Sequence, residues 1–507
     1  MKDITTAVPF ISNMATSLSV SQVAAAVALS SLVYFVITTL RNHFTHPLAK
    51  FPGPVSASFS NFTYCRRFLG GRQPYKVLEL HEKYGPVVRT APNELSFSSS
   101  QSWRDIYGQR KGHQPFIKSP FYDGGNFAAE AHSIVSVRDP DEHNKMRKYL
   151  SNAFSDRSLK EQEDLITEVV DLFIEKIGQK GKEGINMVTY FNLTTFDIIG
   201  SLAFGETFGG VKSGIEHFWV AIVISSLTQG ALADCFGRFP LVASIFKTLF
   251  PGVLKKITEN TKKHEDYSMN LVKKRINRKT DRKDFFARIL ENREQFNLSD
   301  VQLAAHASDF VIAGSETTAT ALACITYYLL RQPDILKKLQ QEVRTAFRSY
   351  DQINAQSTAS LKYLQAVALE GMRVYPPLPF ALPRVVPPGG DTVDGHFIPE
   401  GTIVSTAPLA ASMSSANFKD PWKFDPGRWI GQNDVDDLEA SQPFSLGVRG
   451  CLGRSLGWME LRTILAKMHF KYDLELINKD IDWHRDSEMH TLWKKPELMV
   501  KVLPRRS

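Results

Sequence analysis

One cysteine in this chain stands where a thiolate would be of use. Cys451 occurs in Phe444-Ser-Leu-Gly447-Val-Arg449-Gly-Cys451-Leu-Gly453, followed at once by a helix-like run from Arg454 to Phe470. A thiolate there lies at a helix N-terminus, where unpaired N–H groups and the macrodipole favour negative charge. Gly447 suits a turn that needs positive φ, and Gly453 lets a flat ligand come close to the backbone. Arg449 offers a rigid fork of donors for a carboxylate, and Phe444 can shield the sulfur from water. Together these meet the requirements of an iron–thiolate bond to haem.

Two further sets of residues carry chemistry. In Ala313-Gly314-Ser315-Glu316-Thr317-Thr318, Gly314 permits a local helix bulge. A carbonyl freed there and the Thr317 hydroxyl would hold water, and Glu316 beside them would relay protons. The bland alternative is a buried Ser/Thr-rich helix with one satisfied acid. In Glu370-Gly-Met-Arg373 an acid and a base three apart share one helix face. Tyr375-Pro-Pro377 follows, and Phe424-Asp-Pro-Gly-Arg428-Trp429 comes later in the chain.

The cysteine stretch fills every fixed position of F-x-x-G-x-R-x-C-x-G and resembles the haem-ligand loop of the cytochrome P-450 superfamily. Ala313 to Thr318 is similar to the acid–alcohol pair, A-G-x-[D/E]-T-T, of oxygen-activating members. That likeness implies proton delivery by Glu316 and Thr317 during O–O cleavage, with the Cys451 thiolate as axial ligand to the iron of haem b. Glu370, Arg373 and Arg428 resemble the family's buried ion network, which implies a structural role behind the cysteine loop. Arg449, Arg147 and Arg384 are the implied partners of the two haem propionates. His143 and Arg147 resemble the family's W-x-x-x-R, with His in place of Trp, a departure that still leaves a hydrogen-bond donor. Substrate-facing positions implied in the same way lie in Gly112 to Phe121 (Phe116 among them), at Asp309 and Ala313, in Leu378 to Leu382 with Leu378 and Phe380, and near His490 to Trp493. His306 and Asp309 are read either as polar hooks or as groups satisfied within the protein.

These residues need positioning elements. The longest helix expected runs from Ser299 to Arg331, with Pro333 just beyond it. It is mostly apolar, but His306, Asp309 and Glu316 would be costly in lipid, so it reads as a buried core helix. Ser158-Leu-Lys-Glu161 is a capping-box candidate opening an amphipathic helix with Leu165, Val169, Leu172, Phe173 and Ile177 on one side. A further helix is expected over about residues 187–203, and Arg89 to Phe97 reads as a strand. The resemblance implies mobile helices over the substrate channel in the Phe- and Leu-rich middle, residues 208–250. Beyond Arg384 come short strands with turns.

Residues 4–40 contain no charge, and Val20 to Leu40 is the most apolar part. About 20 apolar residues span a bilayer as a helix. Arg41, His43, His46 and Lys50 follow, so the positive-inside tendency predicts a lumenal N-terminus and a cytosolic body. A cleaved signal peptide is the rival reading. The domains expected are a short lumenal N-terminus (1–19), a transmembrane anchor (20–40), a basic, proline-rich hinge (41–54) and a catalytic body (55–507). The fold class expected is mainly α with small β-sheets (α+β), the cytochrome P-450 fold, as a single large domain.

Four scattered cysteines with no C-x-x-C pair argue against a zinc ribbon, an iron–sulfur cluster or a disulfide scaffold. The net charge is +8, yet no stacking-aromatic pattern accompanies it, which argues against nucleic-acid binding. No G-x-G-x-x-G follows a strand, so the chain has no dinucleotide site of its own. The resemblance therefore implies a membrane-anchored haem-thiolate monooxygenase of the endoplasmic reticulum. It would insert one atom of O2 into an apolar small molecule. The segments Leu382-Pro-Arg-Val-Val-Pro-Pro-Gly-Gly390 and Asp139-Pro-Asp-Glu-His143 resemble those of filamentous-fungal members, which implies a substrate of terpenoid, polyketide or alkaloid biosynthesis. Electrons would come from NADPH through cytochrome P-450 reductase, with cytochrome b5 as a second donor. The basic face near Lys145, Arg147, Lys148 and Arg462 would receive the reductase. The alternatives are a haem-thiolate isomerase or dehydratase that needs no O2, and a non-catalytic haem sensor.

Overall fold

Helix α1 (Val20–Phe44) opens the chain in a computed structural model that describes residues 19–125, 127, 131–278, 280–431 and 433–505. The expected lumenal N-terminus, apart from Ser19, lies outside the described residues. Ser19 and Gln22 cap α1 reciprocally. The helix is long and apolar enough to cross a membrane, and its apolar window is unburied by the rest of the chain. It continues past residue 40, so that Arg41 and His43 complete its last turn, where positive charge opposes the helix dipole favourably. The helix thus continues into the first residues of the expected hinge and is capped at Thr45. Beyond it the chain is pinned to the body. His43 Nδ1 meets Ser58 Oγ at 2.9 Å, and the Arg89 N–H donates to Pro52 O at 2.8 Å. Gly53 packs so closely that a Cβ would come 2.5 Å from Arg89 O.

Strands β1 (Val87–Ala91) and β2 (Glu94–Phe97) divide the single strand expected over 89–97 into a hairpin. Its turn contains Pro92, which has no N–H to give to a ladder. With β3 (Ile117–Lys118), β5 (Arg384–Val385) and β6 (Ile403–Thr406) they form a five-stranded sheet in the order β1-β2-β6-β5-β3, antiparallel except for β2 against β6. A second sheet has the order β4 (Ile185–Asn186), β8 (Met499–Pro504), β7 (Tyr472–Leu476).

Helices make up most of the body. Those used below are α2 (Phe62–Leu69), α3 (Pro140–Ser151), α4 (Met187–Phe204), α5 (Phe218–Arg238), α6 (Pro240–Leu249), α7 (Pro251–Asn277), α8 (Asp300–Arg331), α9 (Lys362–Val374) and α10 (Arg454–Lys471). The helix expected to open at Ser158 is instead two, Asp156–Glu161 and Glu163–Lys180, and the first is capped by Ser155. Ser158 gives its backbone N–H to Ser155 Oγ at 3.3 Å and so lies inside a helix rather than before one.

Helix α8 runs through the middle of the body and packs against α4, α7, α9 and α10. Ser299 caps it, and it ends at Arg331 before Pro333. Most of its side chains from Leu303 to Leu329 are buried in the protein, as a core helix requires. The bulge expected at Gly314 is absent, because helical geometry continues through residues 313–318. Gly314 serves a different purpose: a Cβ there would meet Ile199 Cδ1 at 3.0 Å, so its absence lets α4 approach.

Candidate active site

Cys451 is set by the turn before it. Gly447 has φ +68°, and a Cβ on it would lie 2.1 Å from Tyr107 O, so no other residue fits. The Cys451 N–H donates to Phe444 O at 2.8 Å and the Gly450 N–H to Gly447 O at 3.0 Å. Phe444 lies over the start of α10, its ring 5.9 Å from that of Trp458. Cys451 is exposed, yet burial pushes its thiol pKa up, against the Gly453 N–H and the charges of Arg147 and Arg454, which pull it down. A side chain that is both open and desolvated faces an interior cavity. Gly453 adjoins open space, with no atom within 4 Å of where its Cβ would stand.

Four cations gather around this loop, and among the described residues none of them has a carboxylate bonded to it. Arg449 donates to Val137 O at 3.0 Å and to Arg138 O at 2.9 Å. Arg147, on α3, donates to Gly450 O at 2.7 Å. Arg384 bonds Tyr122 Oη at 3.3 Å and Pro383 O at 3.1 Å. Lys118 reaches Ile134 O at 2.9 Å and Val135 O at 2.6 Å. Lys118 and Arg384 stand directly opposite on β3 and β5, an arrangement that is destabilising for like charges. Burial, with Arg449 and Arg384 next, lowers the Lys118 pKa to about 6. Burial, with Arg384 next, lowers that of Arg449 to about 10. His143 is buried, and among the described residues its Nδ1 has no hydrogen-bond partner of normal geometry; burial followed by Arg449, Lys118 and Arg147 depresses its pKa to about 3. A buried cation cluster with an orphaned imidazole nitrogen calls for an anion with more than one charge. Two propionates answer that demand, so the residues present fit haem. Lys118 was missed in the sequence, where no motif marks it and a two-residue strand gives no periodic signal.

Ala313 is exposed although most of α8 is buried, so it faces internal space. The Thr317 hydroxyl donates to Ala313 O at 2.7 Å. That carbonyl is therefore taken by the threonine rather than freed to hold water with it. Glu316 is placed differently from the expected relay. Its carboxylate is ion-paired with Lys495, both side chains being buried, and it accepts from Asn192 Nδ2 at 3.2 Å. Lys495 also bonds Thr320 Oγ1 at 3.0 Å. Asn192 and Glu216 line a cavity of about 100 Å³ with Asp197 and His217.

Glu370 and Arg373, both fully buried on α9, are bidentate at 2.8 Å. Arg428 Nε comes within 3.4 Å of Glu370 Oε1. The network is larger than its three expected members. Trp429 Nε1 and the Asp425 N–H also donate to Glu370, at 2.9 and 2.8 Å, and Arg373 reaches Ser412 O and Lys423 O.

Among the candidate substrate positions, Phe380 stacks between Phe121 (4.4 Å) and Phe68 (5.4 Å), with Leu378 half-buried nearby in the chain. Phe116 belongs instead to a separate small core beside the five-stranded sheet, under the Arg110 guanidinium. Asp309 accepts from the Val135 N–H at 3.2 Å, and burial raises its pKa to about 6. His306 meets Tyr149 Oη at 2.6 Å. Both are satisfied within the protein.

The family model described as Cytochrome P450 matches residues 52–502. A Penicillium roqueforti protein named cytochrome P450 monooxygenase ORF11 is 56% identical over 459 residues, 90% of this chain and 94% of its own. Cytochrome P450 monooxygenase BipB of Cochliobolus sativus is 42% identical, covering 94% of this chain and 96% of its own. The figures for cytochrome P450 monooxygenase aclL of Aspergillus oryzae are 38% identity, 94% and 97%.

Proposed function

This chain belongs to the cytochrome P450 family, and we propose that it is a monooxygenase of fungal secondary metabolism that oxidises an apolar small molecule, of terpenoid, polyketide or alkaloid type. The observation that carries this reading is the desolvated yet open Cys451 thiol beside a cluster of cations that lack carboxylate partners. Haem bound there supplies dioxygen activation, fed by single electrons from a reductase that draws on NADPH.

The chain's own residues have these parts. Cys451, on the loop set by the Gly447 turn and flanked by Phe444, would supply the thiolate that holds the haem iron. Arg449, Arg384, Arg147, Lys118 and His143 would hold the propionates. Thr317 Oγ1 presents a hydroxyl at the reacting side. Glu316, bonded to Asn192 and ion-paired with Lys495, connects the polar cavity at Asn192 and Glu216 to the Thr317 turn of α8 and is the route by which protons enter. Ala313, Leu378, Phe380 and Phe121 form the apolar part of the substrate wall. The acid–alcohol pair favours this reading over an isomerase, a dehydratase or a sensor, none of which needs protons delivered to oxygen.

In this reading the protein is a single-pass membrane protein of the endoplasmic reticulum with its body in the cytosol. Helix α1 supports an anchor. Helix α6 supports a second contact with the bilayer, because it has no buried residue and exposes Leu241, Val242, Ile245 and Leu249. Exposed Lys145 and Lys148 on α3, next to half-buried Arg147 and Arg462, form the docking face for reductase and cytochrome b5. Incubation of the holoenzyme with reductase, NADPH and fungal extract under isotopically labelled dioxygen tests the proposal. One labelled oxygen in a product is expected, and NADPH-independent turnover without label would overturn it.

A further inference from the structure

We propose that Arg89, on β1, clamps the C-terminal end of α1 and so fixes the angle between the membrane anchor and the catalytic body. Arg89 is buried, yet among the described residues no carboxylate pairs with it. Its guanidinium is satisfied by carbonyls alone. Nη1 donates to Asn42 O at 2.9 Å, and Nε and Nη2 donate to Pro92 O at 3.2 and 2.6 Å. Asn42 lies in the last turn of α1, where carbonyls have no partner within the helix. The helix dipole places negative charge there, so a cation that bonds one of those carbonyls is favoured. The same residue holds the far end of the connecting segment through its main chain. Its N–H donates to Pro52 O at 2.8 Å, and its carbonyl packs against Gly53.

The segment between these two grips is packed as well. Leu48 and Phe51 are buried in the small core beside the five-stranded sheet. The Leu48 N–H donates to His46 Nδ1 at 3.1 Å, and the Phe51 N–H to Leu48 O at 3.1 Å. A linker that only joined anchor to body would be solvated and free in its torsions, whereas this one belongs to the packing of the body. Held in this way, the foot of α1 carries an apolar collar. Phe44, Phe59 and Phe62 are exposed, and the His43 ring lies 4.6 Å from that of Phe44 and 5.2 Å from that of Phe59. The collar stands where α1 leaves the bilayer and rests on it, so the body meets the membrane in one orientation. Arg89 touches no reacting atom and is a positioning residue.

The proposal rests on the reading of α1 as the anchor, and it is tested on the full-chain holoprotein in lipid nanodiscs and, separately, in detergent. Nitroxide labels are placed at Leu40→Cys in α1 and Lys83→Cys on the body, both exposed positions. The distribution of distances between them is read by pulsed electron–electron double resonance. A single narrow distribution is expected in both media. Arg89→Gln keeps the main-chain bond to Pro52 but loses the grip on Asn42 O, and it should broaden the distribution several-fold. A flexible Gly-Ser insertion between Thr45 and His46 frees the covalent connection and leaves Asn42 within reach of Arg89. The distribution should stay narrow in that variant and broaden when Arg89→Gln is added. A broad distribution without either change, an unaltered one in Arg89→Gln, or a broad one in the insertion variant that retains Arg89 would each overturn the proposal. If Arg89→Gln does not fold, the insertion variant decides, because an orientation set by the hinge alone would be lost in it. If the chain does not stay in nanodiscs, the anchor reading fails while the detergent measurement still decides the clamp.

Discussion

Lys495, on the C-terminal segment, is ion-paired with Glu316 in the middle of α8, and both side chains are buried. The acid expected to relay protons is thus already committed to a cation that comes from far along the chain. Breaking a buried pair by removing one partner costs about 3–5 kcal/mol, because the other charge is left uncompensated. Lys495→Met should destabilise by that amount, and Glu316→Gln in the same background should restore part of it. A double-mutant cycle in denaturant that gives additive effects would remove the pair from the account.

Thr317→Ala removes a hydroxyl whose protein partner is its own helix, at Ala313 O. Fold and haem content should therefore be unchanged. Reducing equivalents should be diverted to peroxide several-fold, measured as peroxide formed per NADPH consumed. Full coupling in the variant would take Thr317 out of the mechanism.

Arg373→Ala takes the bidentate partner from fully buried Glu370 and leaves it the Asp425 N–H, Trp429 Nε1 and the Arg428 guanidinium. A cost of about 3–5 kcal/mol is expected. It should appear as loss of haem incorporation on expression rather than as altered selectivity, read from the haem-to-protein absorbance ratio.

Lys118 gives a pH dependence. Its pKa is held near 6 without an anion, and pairing with a propionate raises it. Haem binding therefore takes up a proton above about pH 6, and affinity falls as pH rises. Lys118→Met should release haem to an acceptor protein faster than wild type. The gap should be widest at or below about pH 6 and shrink as pH rises. An equal gap at all pH values would mean that Lys118 acts by packing alone.

The family, the cysteine loop and α8 were legible because each is local. Gly447, Arg449 and Cys451 sit within five residues, and α8 carries its own cap at Ser299 and its stop before Pro333. The Glu370–Arg373 pair was legible for the same reason, as an i,i+3 spacing. Contacts between distant segments were not legible. Nothing in the sequence ties Lys495 to Glu316 or Lys118 to Arg384, since those meetings depend on sheet register and on where the C-terminal segment lies. Local reading also misplaced detail. Gly314 looked like a bulge site because glycine weakens helices, but in the fold it admits Ile199. Ser158 looked like a cap, but Ser155 had the position.

The most direct test of the account is the reduced, carbon-monoxide difference spectrum of wild type and Cys451→Ala expressed in membranes. The account predicts a strongly red-shifted Soret band in wild type, the mark of a cysteinate ligand, and its absence in the variant. A wild-type band at the position of histidine or neutral-thiol ligation, or a red-shifted band that survives in Cys451→Ala, would contradict it.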